Sequence, residues 1–122
     1  MGGSILVSLL IGCSQPKTML AGGKPVNYWL KALQSPDPKV RKTAVRKLGN
    51  IGSADAAVLP AINGALKDPD ATVRCEAILA LLRSGPGANQ AIPTLREMQG
   101  TDRNPQVRSY AAQALAKLQG AK

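Results

Sequence analysis

Pro36-Asp37-Pro38-Lys39-Val40-Arg41, Pro69-Asp70-Ala71-Thr72-Val73-Arg74 and Arg103-Asn104-Pro105-Gln106-Val107-Arg108 are three copies of one phrase. They align without gaps, and their Val-Arg pairs recur at intervals of 33 and 34 residues. Each Val is followed four positions later by Ala (Ala44, Ala77, Ala111) and eight positions later by Leu (Leu48, Leu81, Leu115). Steps of four and eight stay on one face of a helix, so Val40, Ala44, Leu48 and their counterparts are expected to point at a core. The starts of these helices are marked as well. Asp37, Asp70 and Asn104 stand where a side-chain oxygen can take up exposed backbone N–H groups. Pro38 and Pro105 follow at the first helical position, where a missing N–H costs nothing. Gly49 or Gly52, then Gly85, then Gly120 read as stops.

A shorter helix precedes each copy. Leu59-Pro60-Ala61-Ile62 and Ile92-Pro93-Thr94-Leu95 are one phrase, with Pro opening a helix and apolar residues three apart. Pro25-Val26-Asn27-Tyr28-Trp29-Leu30 takes the same place in the first copy. The order is therefore helix, turn, helix, three times over residues 25–119, in an all-α fold.

Composition agrees with thin helices packed in layers. The chain of 122 residues has no Phe, one Trp and two Tyr, so its core must be built from Ala, Leu, Ile and Val. Trp29 and Tyr28 are expected to cap the open face of the first repeat, with Trp29 in the core. The absence of His removes the commonest general base and the commonest metal ligand. No Gly-rich phosphate loop or metal-ligand cluster is visible, and most of the acids (Asp37, Asp68, Asp70, Asp102) fall at turns and caps. An enzyme is not expected, nor a cofactor, a metal or a small-molecule substrate. Cys75 has no partner group that would make it a nucleophile.

The paired helices resemble HEAT repeats, with repeats at about 25–52, 56–85 and 91–119 of a domain spanning 25–122. The resemblance implies a short α-solenoid of three hairpins in a right-handed superhelix. It also implies a structural ladder in which an Asp six residues before the repeat's Arg helps join neighbouring repeats. Asp68 with Arg74 and Asp102 with Arg108 fit that spacing, whereas Arg41 has Ser35 in place of the Asp. In such stacks the second helices line the concave surface. Stepping about 100° per residue from Val40 puts Lys39, Lys42 and Arg46 on the side away from the core. Their counterparts are Thr72, Cys75 and Leu79, with Leu82 beside them, then Gln106, Ser109 and Gln113. The expected partner groove thus has a basic first rung (Lys39, Lys42, Arg46), an apolar middle rung (Cys75, Leu79) and a polar third (Ser109, Gln113). An acidic segment of a protein partner would suit the first rung and an apolar side chain the second. The alternative is that adjoining helices cover Leu79 and Leu82 and that the cations are ordinary solvated charge.

Ahead of the repeats, Ile5–Ile11 is an apolar run of signal-peptide length, well below the ~20 residues needed to span a bilayer. Leu10-Ile11-Gly12-Cys13 resembles the lipobox of bacterial lipoproteins, although Met1–Ser4 contains no Lys or Arg. That resemblance implies a signal peptide over 1–12, lipid attachment at Cys13, a flexible tether over 13–24 and anchoring to a membrane of the bacterial cell envelope. The functional expectation is a non-catalytic protein-binding scaffold tethered there. The net charge of +9, from 16 Lys+Arg against 7 Asp+Glu, keeps a soluble nucleic-acid binder as an alternative. HEAT-like DNA-repair glycosylases exist, but the second helices lack aromatics to hold a base. A bilin-lyase-like or accessory role is a third, less favoured reading.

Overall fold

The computed structural model describes residues 20, 21 and 23–120. Leu20–Ala21 (β1) pairs antiparallel with Lys24–Pro25 (β2), with Gly23 at φ 75° in the turn between them. A two-residue connection of this kind needs positive φ, which glycine supplies without steric cost. The end of the expected tether is therefore a small hairpin, and it lies against the second helix of the first repeat. The lipobox, Cys13 and the start of the tether lie outside the described residues.

Six helices follow: α1 Val26–Ala32, α2 Pro38–Ile51, α3 Val58–Ala65, α4 Ala71–Ser84, α5 Ile92–Thr101 and α6 Pro105–Gly120. They pack as the hairpins α1–α2, α3–α4 and α5–α6. The longer helices α2, α4 and α6 lie side by side in one layer, with the shorter ones outside them. This is a short all-α solenoid of three repeats.

The repeated phrase starts its helices as expected. The Asp37 carboxylate accepts from the N–H of Lys39 at 2.9 Å. Asp70 accepts from the N–H groups of Thr72 and Val73 at 2.8 and 3.3 Å, and also from the Thr72 hydroxyl. Asn104 does the same work with Gln106 and Val107 at 2.8 and 3.1 Å. Each cap contributes about 1 kcal/mol.

The stops need one correction. Helix α2 runs through Gly49 and ends before Gly52, whose φ 59° and ψ −142° are accessible only to glycine; Gly85 ends α4 at φ 88° and ψ −150°. Gly49 serves packing instead: a Cβ there would stand 2.7 Å from the Ala80 Cβ of the next repeat. The missing side chain is what lets α2 and α4 approach so closely.

The Ala and Leu positions of the phrase are buried in all three repeats. Val45 and Ile78 complete the layer from the long helices, while Val58, Ile62 and Leu95 enter it from the short ones. Each such aliphatic side chain contributes roughly 1.5–3 kcal/mol on burial. The Val position behaves differently: Val73 and Val107 are fully buried, but Val40 is 38% exposed. Its expected place in the core is corrected, because that face of the helix packs on the preceding repeat in α4 and α6, and among the described residues no repeat lies before α2. Trp29 is buried as expected, but Tyr28 is 48% exposed and does not close the open face. It stands edge-on to Trp29, with ring centroids 4.8 Å apart, under the Lys24 ammonium at 5.1 Å.

Candidate binding surface

The long helices are held in register by arginines that reach forward by one repeat. Arg41 grips Asp68 with two parallel bonds, Nε to Oδ2 at 2.9 Å and Nη2 to Oδ1 at 3.0 Å. Arg74 repeats this on Asp102 at 2.9 and 3.0 Å. The third donor, Nη1, turns back to the carbonyl six residues earlier: Arg41 to Ser35, Arg74 to Asp68, Arg108 to Asp102. Each ladder aspartate is also used locally, since Asp68 accepts from the N–H of Asp70 and Asp102 from that of Asn104. At Ser35 the hydroxyl accepts the equivalent bond from Asp37 N–H, so the turn survives without a carboxylate.

These contacts set the charges. The bond to Asp68 raises the pKa of Arg41. For Asp102, burial favours protonation, but the bonds from Arg74 and from the N–H of Asn104 outweigh it and hold the carboxyl below its usual range.

On the exposed side of the layer, a shallow cleft of about 170 Å³ crosses all three long helices. Lys42 lines it from α2; Thr72, Cys75, Glu76 and Leu79 from α4; Gln106 and Tyr110 from α6. Of the residues expected in the groove, Lys42, Cys75 and Leu79 meet here. Leu79 is 37% exposed, and Leu82 is half-buried against the core. Lys39 is exposed at the start of α2 and does not line the cleft. Ser109 and Gln113 also lie outside it and bond to one another, Nε2 to Oγ at 3.3 Å.

Two residues of this surface were not anticipated. Glu76 is buried, flanked by the guanidinium groups of Arg46 at 3.6 Å and Arg83 at 3.7 Å. Arg46 is thus partly engaged by the scaffold. Tyr110, at the same repeat position as Glu76, brings the one aromatic ring of the cleft. The signal for both was that shared position, one step before the repeated Ala, where the three copies read Thr43, Glu76 and Tyr110.

Helix α2 carries Lys39, Arg41, Lys42, Arg46 and Lys47 and no acid. Cys75 is a free thiol whose pKa burial pushes up, with Arg74 only partly opposing. A thiol held protonated at neutral pH is a poor nucleophile. Among the described residues no group of three potential metal ligands comes together, and no helix is long and apolar enough to cross a membrane.

A family model of HEAT repeats matches residues 26–116. The chain belongs to the HEAT-repeat family. No curated protein matches it. The family match spans all three hairpins, and with it the forward-reaching arginines and the cleft both take their place in a HEAT scaffold.

Proposed function

We propose that this HEAT stack is a non-catalytic adaptor that binds an extended, acidic segment of a protein partner along its long helices. The observation that carries the reading is Leu79, a large apolar side chain left open in a cleft beside Tyr110, with the acid-free, cation-rich α2 next to it. An apolar side chain of the partner sits on Leu79 and Tyr110, and its carboxylates lie toward Lys42, Lys39 and the outer edge of Arg46. Exposed apolar residues rimmed by polar ones are suited to such contacts. In this reading Cys13 carries lipid and the tether holds the stack at a bacterial envelope membrane, which concentrates it near its partner.

The test is Leu79→Asp in the full-length chain. Binding to partners recovered from the envelope fraction is expected to be abolished while the helical circular dichroism is unchanged; loss of the fold would show Leu79 to be structural and end the groove reading. The intact mass of the membrane fraction tests the tether. An acylated species beginning at Cys13 is expected, and an unprocessed soluble species would remove the tether and return nucleic acid as the candidate partner.

A further inference from the structure

Arg83 has no part in the ladder and does not line the cleft, yet it reaches from α4 onto α2. Its Nη2 donates to the Arg46 carbonyl at 3.3 Å. Gly49 makes the room, since a Cβ there would stand 2.7 Å from that nitrogen. Arg46 and Arg83 then converge on the two oxygens of the buried Glu76 carboxylate, the first on Oε1 at 3.6 Å and the second on Oε2 at 3.7 Å. Both distances are too long for hydrogen bonds. Apart from the bond to the Arg46 carbonyl, neither guanidinium donates to any described residue. Their side chains are 49% and 37% exposed. Two forks from neighbouring helices are thus gathered at one place, in the middle of the stack, with their donors open to solvent. Leu79 lies between them. It is one turn before Arg83 on the same face of α4, and it holds the repeat position that Arg46 holds in α2.

We propose that Arg46 and Arg83 form a receptor for one carboxylate of the partner's segment, set two residues from the apolar side chain that rests on Leu79. The proposal rests on the reading of the cleft as a partner site, and it specifies the pattern that the site selects. A planar guanidinium fork binds a carboxylate through parallel bonds, and a neutral side chain cannot replace it. Arg46, Arg83 and Glu76 together leave an excess of positive charge that a single carboxylate neutralises. The spacing follows from the helix. From Leu79 to Arg83, α4 rises about 6 Å. Two residues of an extended chain span about 6.6 Å and carry their side chains on the same side. A nucleic-acid backbone would satisfy the forks but has nothing to place on Leu79.

The probe is a displayed library of random peptides, selected on the full-length chain and counter-selected on Leu79→Asp. The enriched peptides are expected to carry an apolar residue with Asp or Glu two positions away, always on the same side. Fluorescence anisotropy then gives the Kd of one such peptide for the parent chain and for Arg83→Gln. Changing the peptide's acid to its amide is expected to weaken binding about tenfold, as for loss of a hydrogen bond between charged groups. Arg83→Gln should weaken it by a similar factor, and the two changes together by little more than either alone. The peptide change leaves the protein untouched, so it decides the matter even where the variant folds poorly. Enriched peptides with acids at no fixed spacing, or fully additive losses from the two changes, would overturn the carboxylate receptor while leaving the cleft as a partner site. No enrichment over Leu79→Asp would overturn both.

Discussion

The first and third repeats carry nearly the same phrase but are open on opposite sides. In the first, the side that would face an earlier repeat is uncovered: Val40 is exposed, and Ser35 stands where the later repeats have Asp68 and Asp102. In the third, among the described residues, the side that would face a later repeat is uncovered, and Arg108 has no carboxylate of the kind that Arg41 and Arg74 grip. The middle repeat has both neighbours, and both its valine and its arginine are buried. A residue's environment in this fold is thus set by its place in the stack as much as by its place in the phrase. That is the expected behaviour of a quasi-one-dimensional protein whose stability is a sum over nearest-neighbour interfaces.

The largest difference should appear in the arginines. Arg74 and Asp102 are a largely enclosed, bidentate pair, with side chains only 11% and 8% exposed. Arg74→Ala leaves a buried carboxylate unpaired and should cost about 3 kcal/mol in urea unfolding. Arg108→Ala removes one bond to the Asp102 carbonyl and should cost about 1 kcal/mol. Equal losses at the two positions would show that the carboxylate pairing contributes little and that the arginine stems do the holding.

The phrase was legible because helix period and cap chemistry are local. Asp37, Asp70 and Asn104 announce their helices from within a few residues, and Ala44, Leu48 and their counterparts hold their faces wherever the repeat stands. The ladder spacing was legible through the family resemblance. What a period cannot carry is the neighbour. Val40 has the same local sequence signal as Val73, but among the described residues no repeat lies before it and it is exposed. Gly49 looked like a stop because glycine marks helix ends far more often than close helix crossings, and its reason lies 31 residues away at Ala80. The cleft was half legible for the same reason. Lys42, Cys75 and Leu79 follow from the helical wheel, but Glu76 and Tyr110 line the same cleft from a position one residue before the buried Ala of the phrase.

The valines give the next largest effect. Val73→Ala removes two buried carbons, at about 0.8 kcal/mol each plus the cavity left behind, and should cost about 2 kcal/mol. Val40→Ala, at an exposed site, should stay within about 0.5 kcal/mol. Thermal or urea unfolding of the two variants side by side measures this. A similar loss at both would mean that the face of α2 carrying Val40 is covered in solution, whether by the amino-terminal segment or by another molecule.

The smallest effect at neutral pH concerns the caps of the second and third repeats. Asp70 is held below the ordinary carboxyl range by the Thr72 hydroxyl, which together with the N–H groups of Thr72 and Val73 outweighs the opposing effect of burial. A carboxyl depressed in the folded state stabilises fully above its unfolded value of about 3.9, and that contribution fades as pH falls through the lower folded value. The unfolded chain binds the proton first, so acid works against the fold at this site. Asn104 performs the same capping without a charge to lose. Asp70→Asn therefore makes the second repeat begin as the third does: stability at pH 7 should change by no more than about 0.5 kcal/mol, since the two residues cap nearly equally well. The decline of the unfolding midpoint below about pH 4 should then be shallower than in the parent chain, with Asp102 still contributing its share. An unchanged acid slope would mean that the Asp70 carboxylate is no better held in the folded chain than in the unfolded one.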